Sequence, residues 1–206
     1  MESTLRLLKT TLYISFIISA LLIIGCFGPP KQIVHDIKDQ TDPYYCLWNL
    51  QATYNRHNEI VMIDYYKKIL SGDDHNVGDY YFYFDPNDVG DKTPNGYIIP
   101  YSWNYEEDWQ ATQSMFSNAY SIRLEVPTLG QNGDEKDKDD FYNKVSASFN
   151  SAQDECTISD LYIDLLVYVN QNQGYQAHGS CNFKFKKSYI DNLWYMIGWY
   201  DHTAPQ

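Results

Sequence analysis

The sequence lacks the short motifs that identify many enzymes. It contains no H-E-x-x-H, no G-x-S-x-G and no phosphate-binding glycine pattern, so nothing in it marks a zinc protease, a serine hydrolase or a P-loop protein. Basic residues are also scarce, with 15 Lys and Arg against 27 Asp and Glu and a net charge of −12. So acidic a chain repels phosphate backbones, which argues against nucleic-acid binding.

Metal-ligand patterns are missing as well. The four cysteines are Cys26, Cys46, Cys156 and Cys181. None has the C-x-x-C or Cys/His spacing of a zinc or redox site. Residues 85–91 begin like a calcium loop, but Gly96 stands where a bidentate Glu is required. Residues 130–140 alternate acids with lysines and are interpreted as a charged loop. We therefore predict no metal and no cofactor.

One long apolar run is present, at residues 10–24, and it follows the basic residues Arg6 and Lys9. It is shorter than the roughly 20 residues of a transmembrane helix. A basic start, a short apolar run and the small residue Gly25 are typical of a secretory signal peptide. An uncleaved anchoring helix with Cys26 as an ordinary residue is the alternative. The following Phe-Gly-Pro-Pro favours the signal peptide, because Gly and Pro end a helix there.

Ile23-Ile24-Gly25-Cys26 resembles the lipobox of bacterial lipoproteins. The resemblance implies that residues 1–25 are removed and that Cys26 carries acyl chains such as palmitate, followed by a tether to residue 41. Several acyl chains bind a membrane firmly. The implied location is the bacterial cell envelope. In bacteria with two membranes, lipoproteins that have Asp after the cysteine tend to stay in the inner membrane. This chain has Phe27 at that position, which implies the outer membrane if its source has two membranes. Removal of the peptide leaves 13 basic and 26 acidic residues, a net charge of −13.

Three helices are predicted in the first half of the remaining chain. Asp42 and Pro43 suit an N-cap and a first helical position, which gives a helix to about His57. A second helix is predicted over residues 59–70, with Ile60 on its apolar side, and a third over residues 104–118. The predicted strands are 80–84, 121–126, 141–149, 161–169, 176–187 and 192–200. The order favours an α+β fold with helices on one face of a curved antiparallel sheet.

Four segments carry a resemblance to a known superfamily. They are Leu47-Trp48-Asn49-Leu50-Gln51-Ala52-Thr53-Tyr54, Tyr81-Phe82-Tyr83-Phe84-Asp85-Pro86, Ser102-Trp103-Asn104-Tyr105-Glu106-Glu107 and Trp194-Tyr195-Met196-Ile197-Gly198-Trp199-Tyr200-Asp201. In this order they resemble the nuclear-transport-factor-2-like (NTF2-like) superfamily, the cystatin-like cone. The resemblance implies a domain over residues 42–206, with three helices packed on about six strands.

Disulfide pairing stays open at the level of sequence. Export permits disulfides, but three cysteines besides Cys26 allow at most one internal pair. Cys156 with Cys181 is the tempting choice. If Val169 faces Gln176, however, Cys181 lies opposite Asp164, which puts Cys156 roughly 26 Å away along the strand. A bridge requires Cα atoms within roughly 7 Å.

Candidate catalytic residues come from the resemblance. Enzymes of the superfamily, such as ketosteroid isomerases and dehydratase-like members, use Asp or His inside the cone. The candidates here are Asp85, Glu106, Glu107, His178 and Asp201. Asp85 ends a strand, and the two glutamates lie in the first turn of a helix, where the dipole favours acids. His178 is a lone histidine on a predicted strand, and such a residue is usually at the surface or satisfied in the core. Asp201 has no partner of known spacing in the sequence. No catalytic residue is assigned, and Asp85, His178 and Asp201 remain weak candidates.

Aromatic residues are the remaining signal. Tyr and Trp line ligand pockets, although they fill narrow cores more often. We expect a cone mouth near Trp103, Tyr105 and Trp109, with Tyr83 as a further ligand-binding residue.

Three functions follow as hypotheses. The first is a lipid-anchored, non-enzymatic domain that binds a small apolar ligand or a protein partner. The second is an isomerase- or dehydratase-like enzyme that uses a buried carboxylate or His178. The third is a purely structural homodimer formed through the outer sheet face. A pocket with an unpaired carboxylate favours the enzyme, an apolar pocket without one favours binding, and a filled cone favours the structural protein.

Overall fold

The computed structural model describes residues 36–72, 75–92 and 96–202. The predicted signal peptide, Cys26 and the tether up to residue 35 lie outside these residues, as do residues 203–206. Within the described ranges, no helix combines the length and the apolar character needed to cross a membrane.

The described residues form four helices and seven strands. The helices are α1 (Pro43–Asn55), α2 (Met62–Ile69), α3 (Tyr105–Asn118) and α4 (Glu135–Tyr142). The strands are β1 (Tyr81–Tyr83), β2 (Ser102–Asn104), β3 (Ser121–Glu125), β4 (Ser146–Asn150), β5 (Glu155–Asn170), β6 (Gln173–Lys187) and β7 (Trp194–His202). The strand order is β2-β1-β7-β6-β5-β3, and β4 also pairs with β5. This α+β architecture, with helices packed on a curved sheet, confirms the predicted fold class.

Side-chain caps begin the first and third helices where the sequence predicts them. The Asp42 carboxylate accepts a hydrogen bond from the Tyr44 amide at 2.9 Å, with Pro43 in the first turn. Asn104 and Glu107 form a reciprocal capping box, with both bonds at 3.0 Å. Each cap satisfies amide groups that a helix start leaves unpaired.

The second helix begins three residues later than predicted. Residues 56–61 form a turn, in which the Arg56 guanidinium binds the Glu59 carboxylate at 2.7 Å. Ile60 lies on this turn and is 93% exposed, so its predicted place on the apolar side of a helix is wrong. The helical spacing of apolar residues in the sequence includes Ile60, although the backbone becomes helical only at Met62.

Helix α4 was predicted as part of a charged loop and the start of a strand, and both predictions are wrong. Asp134 caps it by accepting from the Asp137 amide at 2.8 Å. Lys136 pairs with Asp140 one turn later. Such pairs stabilise a helix without an apolar face, and Phe141 is its single buried residue.

The sheet is mixed, whereas a wholly antiparallel sheet of about six strands was predicted. Strand β1 runs parallel to β7, with Phe82 opposite Trp199. Strand β2 was not predicted, and its Trp103 lies opposite Phe82. Both strands have three residues, too few to show a clear alternation. Tyr81 is 36% exposed and Phe82 is buried, so strand β1 is covered on one face only.

A bulge in β5 bends the sheet around the helices. The pairing of β5 with β6 shifts between Ile158 and Leu161, and Asp160 has a φ of +54°. The first part of β5 pairs with β4 and the second part with β3. Bulges of this kind bend a strand and increase its twist, which is how one long strand serves both ends of the cone.

The hairpin between β5 and β6 is tighter than predicted. Asn170 pairs with Gln173, so Cys181 lies opposite Leu161 and not opposite Asp164. The predicted register was therefore wrong by three residues. The three cysteines that the structure describes are all buried, and none forms a disulfide: Cys46, Cys156 and Cys181.

Helix α1 is buried on every side except at Tyr45, and its amide side chains bind backbone. The Asn55 amide donates to the Leu124 carbonyl at 3.0 Å and accepts from the Leu124 amide at 2.8 Å. Gln51 accepts from the Val126 amide at 2.7 Å. Helix α1 thus satisfies the outer edge of β3 as a neighbouring strand would, which protects that edge from other pairing.

We expect Asn55→Ala to lower the free energy of unfolding by about 3 kcal/mol, because two buried backbone groups of Leu124 would lose their partners. Urea unfolding measures this loss. Asn49→Ala is the matched control, since Asn49 makes the same pair of bonds to Lys38, at 2.8 Å each, on half-exposed backbone that water can reach. Its loss should be about 1 kcal/mol. Equal losses of unfolding free energy in the two variants would show that burial of the Leu124 backbone does not make the Asn55 bonds more important.

Candidate functional site

A cavity of about 60 Å³ lies between helix α3 and the inner face of the sheet. Most of its lining is apolar, and four aromatic side chains contribute to it: Tyr54, Phe82, Trp103 and Trp199. One water molecule needs roughly 10–15 Å³. The cavity therefore has room for a few waters or one small organic group, and the cone is not completely filled.

Helix α3 presents one face to this cavity, and the acid on that face is Asp108. Asp108, Ala111, Thr112 and Met115 all line it, at positions i, i+3, i+4 and i+7 of the helix. The Asn104 cap fixes where the helix begins and so determines which residues share this face. The helix thereby places a carboxyl group against an aromatic wall.

Asp108 is the buried acid of the site, with 5% of its surface exposed. The Tyr66 hydroxyl donates to its Oδ2 at 2.6 Å. The Tyr80 hydroxyl lies beside the same carboxyl, outside good hydrogen-bond geometry. Burial raises the pKa of Asp108 from 3.8 to about 6, while the Tyr66 and Tyr80 hydroxyls oppose that rise. The carboxyl thus changes its charge close to neutral pH.

Asp108 has no counter-ion in the part of the chain that the structure describes. No lysine, arginine or histidine nitrogen there lies within 4.0 Å of its oxygens. Its hydrogen-bond partner is a neutral hydroxyl. A buried charge without an opposite charge is costly, which makes Asp108 an unusual member of an apolar wall.

The mouth of the cavity contains two of the predicted catalytic candidates. His178 is exposed and Asp201 is half-buried, and both line the opening. The Cys181 sulfur lies 3.9 Å from Asp201 Oδ1. Burial, and secondarily the nearby Asp201 charge, raise the pKa of the Cys181 thiol, so it is not an activated nucleophile.

The other predicted acids have structural roles. Asp85 accepts from both the backbone and the side-chain amide of Asn87 at 2.8 Å, which closes a turn. Glu107 belongs to the capping box. Glu106 accepts from Trp109 Nε1 at 3.0 Å. None of these three acids lines the cavity.

Of the four predicted ligand-binding aromatic residues, only Trp103 lines the cavity. Tyr83 lies on the opposite face of the sheet, stacked on Tyr200 with ring centroids 4.5 Å apart. Trp109 lies under the Lys67 ammonium, 3.4 Å from the ring centroid. Tyr105, the first residue of helix α3, packs against the core without reaching the cavity.

The sequence interpretation missed Asp108, Tyr66 and Tyr80. The signal for Asp108 was its helical spacing, because it shares a face of helix α3 with Thr112 and Met115, which are buried. An acid within an apolar stripe indicates a buried carboxyl. Among the described residues, no group of three or more His, Cys, Asp or Glu side chains is placed to hold a metal ion.

Comparisons with known proteins give no family. No protein-family model and no curated protein matches the chain. Among solved structures, a proposed dehydratase of the NTF2-like family from Streptomyces avermitilis aligns with 74% of this chain and 88% of its own, at 9% identity and a TM-score of 0.46. The Kfla4162 protein of Kribbella flavida aligns with 75% and 85%, at 9% identity and a TM-score of 0.47.

A proposed aromatic ring hydroxylase from Novosphingobium aromaticivorans aligns with 79% of this chain and 90% of its own, at 10% identity and a TM-score of 0.45. Similarities this distant carry no argument about chemistry. The function is therefore argued from the cavity itself.

We expect Asp108→Asn to become increasingly favourable for stability as the pH rises. The pKa of the folded carboxyl is about 6 and its ordinary value is 3.8, so the folded state holds the proton more tightly. The free energy of unfolding of the native chain therefore falls between about pH 4 and pH 7, by about 3 kcal/mol from this group. The free energy of unfolding of Asp108→Asn should not show this fall, because an amide does not ionise.

Urea unfolding of both chains between pH 4 and pH 7.5 measures the difference. The control is Asp64→Asn, which removes an exposed carboxyl from helix α2. A difference between Asp108→Asn and the native chain that does not change with pH would refute the raised pKa.

Proposed function

We propose that the domain binds a small, mostly apolar molecule in the cone, and that a lipid on Cys26 holds the protein at the bacterial cell envelope. The observation that carries the binding proposal is the apolar cavity with the buried carboxyl of Asp108 in its wall. Apolar linings with a few placed polar groups are typical of ligand sites. A purely structural domain would have no need of either feature.

The arrangement of the cavity supports a ligand with two different ends. Trp103 and Trp199 offer aromatic surface to an apolar body. Asp108 offers hydrogen-bond acceptors at the inner end, while His178 and Asp201 stand at the opening. A ligand of this kind would enter beside His178 and Asp201 and place its polar group against helix α3.

Native mass spectrometry of the chain from residue 27, purified from its own cell envelope, tests this function. We expect a bound small molecule on the native domain and on Gln113→Phe, and its loss from Ala111→Phe. Ala111 lines the cavity, and a phenyl ring there would fill it, whereas Gln113 is exposed on the same helix. Occupancy should fall at least tenfold, in a protein that keeps its circular dichroism spectrum.

A clean unliganded mass for the native domain would contradict ligand binding and favour the structural homodimer. Retention of the ligand by Ala111→Phe would place it elsewhere on the molecule.

An enzyme is the second candidate, because the pKa of Asp108 near 6 suits a general acid or base at neutral pH. In that case Asp108 would exchange a proton with the bound molecule. The ligand recovered from the native domain would then be a mixture of substrate and product, and Asp108→Asn would hold substrate alone. A single molecule on both proteins would indicate a binding function.

The lipid anchor has its own test in a bacterial host. We expect the mature native chain to begin at Cys26 with acyl chains attached and to partition into detergent, because several acyl chains bind a membrane firmly. Cys26→Ser should carry no acyl chain and stay in the aqueous phase. Phe27→Asp is the matched control, which should keep the lipid and change only the membrane to which the protein is sorted. Intact mass decides the result, and acyl chains on Cys26→Ser would refute the assignment.

A further inference from the structure

The charge of Asp108 and the aromatic residues around it select one class of ligand. Burial leaves this carboxyl with neutral hydroxyl partners and without a cation within 4.0 Å among the described residues. Four aromatic residues share the cavity with it. An anion surrounded by aromatic rings is the environment in which proteins hold an organic ammonium group, since carboxylate and ring quadrupole both attract a cation.

We propose that the cavity binds the head group of a small organic cation, an alkylammonium or trimethylammonium, against Asp108. This inference rests on the proposed binding function and specifies its ligand. The cavity of about 60 Å³ fits a single small head group, with the remainder of the molecule at the mouth. The chain's net charge of −12 raises the concentration of cations around the protein and favours their entry.

A neutral ligand is the competing possibility. A protonated Asp108 would donate a hydrogen bond to a carbonyl or hydroxyl oxygen. The two cases differ in their response to pH, because a cation requires the ionised carboxylate and a neutral acceptor requires the protonated acid. They also differ in whether a positive charge on the ligand improves binding.

Other ionisable groups around the cavity could also make ligand binding depend on pH. The ionisable side chains that line it or contact Asp108, from every element packed there, are Tyr54, Tyr66, Tyr80, His178, Cys181 and Asp201. Burial raises the pKa of the three tyrosines and of the cysteine, so these four stay neutral. Asp201 and His178 stand at the mouth, and each requires a variant of its own.

The test uses two probes of the same shape, choline and its neutral isostere 3,3-dimethylbutan-1-ol, titrated calorimetrically into the chain from residue 26. We expect choline to bind the native protein at least tenfold more tightly than the alcohol at pH 7.5. Its affinity should fall about tenfold at pH 5, where Asp108 is mostly protonated, since its pKa is about 6. The affinity of the alcohol should change little.

Variants assign the preference to Asp108. Asp108→Asn should bind both probes equally, and Glu106→Gln, which removes an exposed acid two residues earlier on the same helix, should keep the preference. His178→Gln should keep the pH dependence, and Asp201→Asn should keep most of the preference for choline. If Asp108→Asn does not fold, the probe pair and the pH profile of the native chain decide alone.

Three results would overturn the cation site: equal binding of the two probes to the native protein, tighter binding of choline at pH 5, or an unchanged preference in Asp108→Asn. Binding of the alcohol alone would leave the proposed binding function intact and exclude the cation. Binding of neither probe also rejects the cation site, and the native mass measurement then decides the broader function separately.

Discussion

The structure depends on satisfying the polar groups of a helix that water does not reach. Helix α1 is enclosed by the sheet and by other helices, so each amide on its surface must find a partner inside the protein. The available partners are the unpaired backbone groups of strand β3, which Asn55 and Gln51 bind. This arrangement fixes β3 against the helix and closes one side of the cone. The space left over lies on the other side, under helix α3, where the cavity is found.

The cavity wall departs from what stability alone would select. An apolar residue in place of Asp108 would avoid the cost of a buried carboxyl, and Tyr66 is a neutral partner that offsets that cost only in part. Groups that a fold tolerates at the expense of stability are often those that its function needs. The rise in the Asp108 pKa and the proposed affinity of the site for a cation have a common origin, which is the burial of this carboxyl without a counter-ion among the described residues.

Features marked by local chemistry were predictable from the sequence. The start at Asp42 was predicted because a cap is a property of a few neighbouring residues. The start near Asn104 was predicted from the helical spacing of the residues after it. Helix α4 was missed because ion pairs, and not an apolar stripe, stabilise it. Tyr83 was placed in the site because the aromatic run 80–84 contains no polar residue that reveals which side chains point inward. Asp108 lies in the first turn of α3, where the helix dipole is a sufficient reason for an acid. Its helical spacing indicates that it is buried, and only the tertiary structure shows that a cavity lies beside it.

The bonds between Asn55 and Leu124 join a side chain to a peptide group, and this asymmetry has an evolutionary consequence. Position 55 must keep an amide of one length, whereas every residue except proline brings the same donor and acceptor to position 124. Substitutions should therefore be rare at position 55 and frequent at position 124, where only the buried volume limits them. The two positions should not covary in an alignment of descendants, although they are in direct contact. Among related sequences, the helix position should therefore be conserved, while the strand position that it contacts varies.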